Sequence, residues 1–225
     1  MKPLGRKSYG SIAHLPGSRL GPGDHRITNG QASICTEKAR DRHDFIIVQE
    51  KLDGSNVSAA RIGDEIVPLT RAGYVATKSP YRQHHLWAKF VRDNESRFAD
   101  VLNDGERLCG EWLWQSHGTR YELVHEPFVA FDIMRGTTRL PHSEFYLRAV
   151  SSFMTPAILS MGGPCSIEEA MSRLGDHGHH GAVDLAEGCV WRVERRGVVD
   201  FLAKYVRHDK VDGRYLDAEL LNGFA

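Results

Sequence analysis

Phe45-Ile46-Ile47-Val48-Gln49-Glu50-Lys51-Leu52-Asp53-Gly54-Ser55-Asn56-Val57-Ser58-Ala59-Ala60-Arg61-Ile62 reads as a strand, a turn and a second strand. Ile46, Ile47 and Val48 are β-branched and suit a pleated, buried surface, while Asp53-Gly54 carries turn chemistry. Lys51 therefore falls where a buried strand runs into a turn. A protonated lysine is a poor nucleophile, and desolvation or a nearby cation favours its neutral amine. In this setting Gly54 is expected to take a backbone conformation closed to other residues, and Asp53 to hold the turn by accepting backbone N–H bonds.

The pattern Lys-x-Asp-Gly is not selective by itself, because Lys210-Val211-Asp212-Gly213 repeats it. That copy follows the polar Arg207-His208-Asp209 rather than a buried strand, and it reads as a turn. Further strands are expected at residues 107–114, 127–133, 189–193 and 198–206, each a short apolar run. A helix is expected from about Arg82 to Leu102, where Leu86, Phe90, Phe98 and Val101 recur at helical spacing. Another begins at Ser166, where Ser166 and Glu169 form a capping-box pattern and Gly175 supplies a stop. Many strands with interspersed helices imply an α+β fold with largely antiparallel sheets.

The 225 residues, 41% of them hydrophobic, suffice for one sizeable domain. Residues 1–44 read as a loop-rich segment belonging to that domain, because Gly and Pro crowd its first thirty positions, and residues 45–225 read as its body. Lys+Arg 29 against Asp+Glu 29 leaves no net charge, so any nucleic-acid surface is a local patch. Cys35, Cys109, Cys165 and Cys189 form no Cys-x-x-Cys pair and read as reduced thiols, which points to the cytoplasm. No apolar run reaches the roughly 18 residues of a membrane span. The run Asp176-His177-Gly178-His179-His180-Gly181 reads as a mobile polar loop rather than a metal site, and His84-His85 diverge too far on a helix to share an ion.

From Gln49 to Arg207 the chain resembles the covalent nucleotidyltransferase superfamily of ligases and capping enzymes, most closely the ATP-dependent RNA ligases of bacterial and phage type. Gln49 to Asn56 is similar to motif I with the Asn typical of RNA ligases, and Arg71-Ala72-Gly73 to motif Ia. Glu111 in Cys109-Gly110-Glu111-Trp112 resembles motif III, and Phe131 motif IIIa. Glu187-Gly188-Cys189-Val190 resembles motif IV, and Ala203-Lys204-Tyr205-Val206-Arg207 motif V. His14-Leu15-Pro16-Gly17-Ser18 resembles the N-terminal stretch of some members. The resemblance implies the nucleotidyltransferase fold, an ATP-grasp-like ligase adenylation domain, in which Lys51 takes AMP from ATP.

The same resemblance assigns roles. Lys204 contacts the α-phosphate and depresses the Lys51 pKa; Glu187 helps hold Mg2+ or Mn2+, for which carboxylate and water oxygens are natural ligands. Glu111 binds the ribose hydroxyls, Phe131 stacks on adenine and Glu50 faces the adenine edge. Asn56 and Arg71 serve the polynucleotide steps. The implied substrates are RNA ends bearing 5′-phosphate and 3′-hydroxyl, joined in RNA repair, with DNA a possible substrate and an accessory protein a possible partner. The alternatives are a DNA ligase, a guanylyltransferase-like enzyme, or a non-sealing nucleotide- or nucleic-acid-binding derivative. Two departures accompany the likeness: Val206 stands where motif V usually places a second basic residue, and no C-terminal OB domain is expected.

Overall fold

The computed structural model of the protein describes residues 2–216 and 220–224. In chain order its elements are β1 (Ala13–His14), α1 (Asn29–Thr36), β2 (Asp44–Lys51), β3 (Ser55–Ile62), β4 (Glu65–Thr70), α2 (Arg82–Asp93), α3 (Glu95–Val101), β5 (Glu106–Trp112), β6 (Glu122–Leu123), β7 (Phe128–Arg135), β8 (Thr138–Arg139), α4 (His142–Ala149), β9 (Ile158–Gly162), α5 (Ile167–Leu174), β10 (Gly188–Arg195), β11 (Val198–Val206) and β12 (Gly223–Phe224). They fall into two compact units. One holds the residues through Gly10 with Gly54–Gln115 and His125–Thr155; the other holds Ser11–Asp53, Ser116–Val124 and the chain from Pro156 onward. The chain passes between units at the peptide joining Asp53 to Gly54. The fold is α+β with mainly antiparallel sheets, as the strand pattern implies.

The first unit is built on an antiparallel sheet of order β4-β3-β5-β7-β8. Trp87 from α2 and Phe98 from α3 pack on Trp112 and Phe128, with the Trp87 and Phe128 ring centroids 4.7 Å apart. The single helix expected over 82–102 is two. Asn94, with φ −124°, breaks it, and its side chain donates to the Phe90 carbonyl at 2.9 Å, a local bond that competes with the helical ladder. The break leaves Phe98 and Val101 on the core side of a separate short helix.

The second unit carries the sheet β1-β11-β10-β2-β9 and the small pair β12-β6. β1 lies parallel to β11, and every other neighbour in the larger sheet is antiparallel. Ile46, Val48, Trp191 and Val193 form a core with Cys35 of α1 and Ala170 and Leu174 of α5. Ser166 caps α5 by accepting the Glu169 N–H, and Gly175 follows it at φ +68°. Helix α1 lies in the stretch read as loop. Thr28 and Gln31 close a full capping box there, which compensates for Gly30 in the first turn.

Candidate active site

Lys51 ends β2, and its backbone pairs with Gly188 at the start of β10. Gly188 has φ +154°, and a Cβ there would lie 2.0 Å from the Tyr205 carbonyl oxygen, so glycine alone permits this approach to β11. The register places Glu187 just outside the sheet beside Lys51, with Oε2 2.5 Å from the Lys51 Nζ. Burial pushes the Glu187 carboxyl up, and the Lys51 ammonium draws it part of the way back. A buried carboxylate is costly unless paired, and here the pair is the proposed nucleophile itself.

Lys204 lies on β11 in register with His14 of β1. The His14 Nε2 is 3.1 Å from Asp24 Oδ2, and Lys204 Nζ stands 3.9 Å from the other oxygen of that carboxylate. His14 Nδ1 shares a 2.7 Å hydrogen bond with Ser18 Oγ, which accepts the Val206 N–H at 2.9 Å. The N-terminal segment therefore braces the strand that carries Lys204. Burial first, and the Lys204 charge second, hold the His14 pKa below its ordinary value; the Lys51 charge acts in the same direction. Both lysines thus bear on one buried imidazole.

Asp53 accepts backbone N–H bonds as expected, but the donors come from a loop distant in sequence and not from its own turn. Its Oδ2 accepts the Gly118 and Thr119 N–H groups, each at 2.7 Å, and its own N–H donates to Tyr121 Oη at 3.0 Å. The same Oδ2 accepts from the Nζ of Lys210, which also donates to Thr119 Oγ1 at 2.8 Å. Burial works to raise the Asp53 pKa, and the Lys210 charge and hydrogen bond, joined by the Lys51 charge and the Gly118 N–H, together outweigh it, so the carboxyl sits below its ordinary range. The second Lys-x-Asp-Gly copy is a turn, yet its lysine is buried against the Asp of the first. Glu50, also buried, accepts the His179 N–H at 2.9 Å. The histidine-rich run therefore packs on Glu50 instead of hanging free: a Cβ at Gly178 would come within 2.2 Å of Glu50 Oε1.

Within the first unit, Asn56 on β3 pairs directly with Glu111 on β5. Glu111 Oε1 accepts the Gly54 N–H at 3.1 Å. Gly54 is needed for space and not for a left-handed backbone, since a Cβ would lie 2.6 Å from the Trp112 carbonyl oxygen and its φ is not positive. The Asn56 Oδ1 is buried with no hydrogen-bond partner among the described residues. In the β5–β7 ladder Cys109 faces Asp132 and Gly110 faces Ala130, which leaves Phe131 as the extra residue of a bulge. A bulge re-aims a side chain, and half-buried Phe131 meets Tyr9 edge-on at 5.1 Å. Thr70 pairs with Val57, so the exposed Arg71 leaves the sheet near the level of Asn56; its carbonyl accepts the Ser8 and Tyr9 N–H groups.

The structure thus groups Lys51, Glu187, Lys204 and Glu50 in the second unit, and Asn56, Glu111 and Phe131 on one sheet of the first, with Arg71 just past the end of its edge strand. Arg207 donates its backbone N–H to the Glu187 carbonyl at 3.1 Å while its guanidinium turns to Asp209, bordering a cavity of about 420 Å3 with Tyr205 and Asp176. His84 and His85 bond to Ser79. Asp24, Thr119, Tyr121 and Lys210 were not legible as site residues, for each arrives through tertiary packing of a loop. All four cysteines are buried and free, and among the described residues no helix is long and apolar enough to cross a membrane.

The model of the RNA ligase family matches residues 44–206. Among solved structures, a mutant of Naegleria gruberi RNA ligase with ATP and Mn aligns with a TM-score of 0.54 at 17% identity, covering 92% of this chain and 60% of that one. A mutant apo form of the Naegleria gruberi enzyme gives 0.53 at 18% identity, with 79% and 52% covered. An archaeal ATP-dependent RNA ligase gives 0.43 at 21% identity, with 72% and 42% covered. The chain spans about half the length of these solved ligases. Curated protein sequences return no match.

Proposed function

Because the chain belongs to the RNA ligase family, we propose that it is an ATP-dependent RNA ligase that carries AMP on Lys51 and joins 5′-phosphate to 3′-hydroxyl ends in RNA repair. The observation that carries this reading is the Lys51–Glu187 pair, an amine at a strand end held 2.5 Å from a buried carboxylate. The neutral Lys51 amine attacks the α-phosphorus of ATP; the N–P bond forms, the bond to the bridging oxygen breaks, and pyrophosphate leaves with its electron pair. Glu187, with Oε2 2.5 Å from the amine, is within reach to take the proton lost by nitrogen. AMP then passes from Lys51 to the 5′-phosphate of a strand, and a 3′-hydroxyl displaces it to leave a phosphodiester.

Charge builds on phosphate oxygens throughout, so fixed cations are needed where it develops. Lys204, braced by Asp24 and His14, is suited to the α-phosphate. Mg2+ or Mn2+ would be held by Glu187: one buried carboxylate completed by substrate phosphates and water is the donor set such ions take. When bound, such an ion would neutralise phosphate charge. Glu50 faces the adenine edge, Phe131 offers a ring to the base, Glu111 accepts from ribose, and Asn56 and Arg71 meet the polynucleotide. The solved Naegleria gruberi ligases with ATP and Mn support the choice of nucleotide and ion.

The test is incubation with ATP labelled at the α-phosphate and Mg2+ or Mn2+, followed by a chase with 5′-phosphorylated RNA or DNA. Label on the protein that transfers to RNA and yields joined strands supports the proposal. Preferential joining of DNA would replace RNA as substrate, label from GTP would indicate a guanylyltransferase, and label that never leaves the protein would indicate a non-sealing derivative.

A further inference from the structure

Lys210 is 8% exposed, and all its described side-chain bonds go to Asp53 and Thr119. Burying an ammonium costs several kcal/mol before pairing, and an apolar residue of like volume would fill the space more cheaply. The surroundings are shaped for this lysine: at Gly118 a Cβ would meet the Val211 carbonyl oxygen at 2.3 Å and the Lys210 Cε and Nζ at 2.8 Å. The acidic residue of the second copy faces elsewhere, Asp212 being paired to Arg19 at 2.6 Å. Among the described residues of that copy, Lys210 is the one whose side chain bonds to the turn of the first copy.

That turn is held from two sides. On one, Lys51 is fixed by its ladder pairing to Gly188. On the other, Asp53 is fixed by Gly118, Thr119, Tyr121 and Lys210, and the intervening Leu52 is buried. Only Leu52 separates the clamped Asp53 from Lys51, so a change in the Asp53 turn is passed directly to the Lys51 backbone. In-line attack on phosphorus needs near-attack geometry, and a displacement of about 1 Å costs about 100-fold in rate.

We propose that Lys210 is a positioning residue for adenylyl transfer, clamping the Asp53 turn so that the Lys51 amine is aimed at the α-phosphorus. The inference rests on the reading of Lys51 as the nucleophile. It assigns Lys210 no contact with ATP, and this separates it from a phosphate-binding lysine: its loss lowers the maximal rate and leaves the ATP concentration for half-maximal rate in place.

The experiment is single-turnover adenylylation of the full chain across a range of ATP concentrations, for the unsubstituted protein, Lys210→Met, Lys210→Arg and Lys51→Ala. Lys210→Met is expected to lower the saturating rate by about 10- to 100-fold, with half-saturation within about two-fold, and Lys210→Arg to recover part of the loss by restoring a cation at Asp53. Should Lys210→Met fail to fold, Thr119→Val removes one Lys210 partner without uncovering a charge and is expected to show the same pattern more weakly. An unchanged saturating rate in the folded variant, or a loss confined to half-saturation, overturns the inference. Label on Lys51→Ala equal to that of the unsubstituted protein overturns instead the reading on which it rests.

Discussion

Replacing Glu50 by Gln should make the protein more stable at neutral pH, although it removes an ionisable residue next to the proposed nucleophile. Burial among apolar neighbours is the main cause that pushes the Glu50 carboxyl up to about 7 from an ordinary 4.5, against the smaller opposing effect of the His179 N–H. In the unfolded chain the group ionises near 4.5; in the folded protein it stays neutral until about 7. The folded state therefore binds the extra proton between these values, and stability falls as pH rises through that window. At 1.36 kcal/mol per pH unit, the whole fall is about 3 kcal/mol. Gln has the shape of the neutral acid, still accepts the His179 N–H, and carries no such slope. Urea unfolding of both proteins from pH 4.5 to 8 isolates this group, because the other titrations cancel in the difference. The variant should match the unsubstituted protein near pH 4.5 and exceed it by about 3 kcal/mol at pH 8. A difference that does not change with pH would refute the assignment of a buried, neutral Glu50.

Two further outcomes follow from the packing. Gly188→Ala is expected to lower stability by at least about 2 kcal/mol, from backbone overlap with Tyr205 and a strained φ, whereas Gly23→Ala, with φ +81° but open space, should cost about 1 kcal/mol or less; equal melting temperatures for the two would contradict the steric argument. His14→Ala, which removes the ring between Ser18 and Asp24, should slow adenylylation about ten-fold by loosening Lys204; a wild-type single-turnover rate would show that the N-terminal segment does not brace it.

The six strands read from the sequence are present because each is an apolar run long enough to be buried whichever partner it finds. β2 and β10, central in their sheet, are the clearest. Edge elements were harder: β9 exposes Ile158 and Met161, so its pattern is diluted, and α1 contains Gly30 in a stretch dense with turn residues. The break at Asn94 is a side-chain bond that helical periodicity does not register. Within the site, Lys51 and Glu187 lie far apart in the chain and became neighbours only through the Lys51–Gly188 register. The motif likeness anticipated the residue types but not their bracing. Nothing near Lys210 in the sequence marks it as buried, since Arg207, His208 and Asp209 before it are polar. Its partner is Asp53, and that contact exists only once the C-terminal turn has folded back.

Lys51, and not the lysine of the second copy, is expected to receive AMP. The direct measurement is mass spectrometry of peptides from the full chain after incubation with ATP and Mg2+ or Mn2+. A single added AMP is expected on the peptide containing Lys51, absent from Lys51→Ala. AMP on the peptide containing Lys210, or none on either, would contradict it.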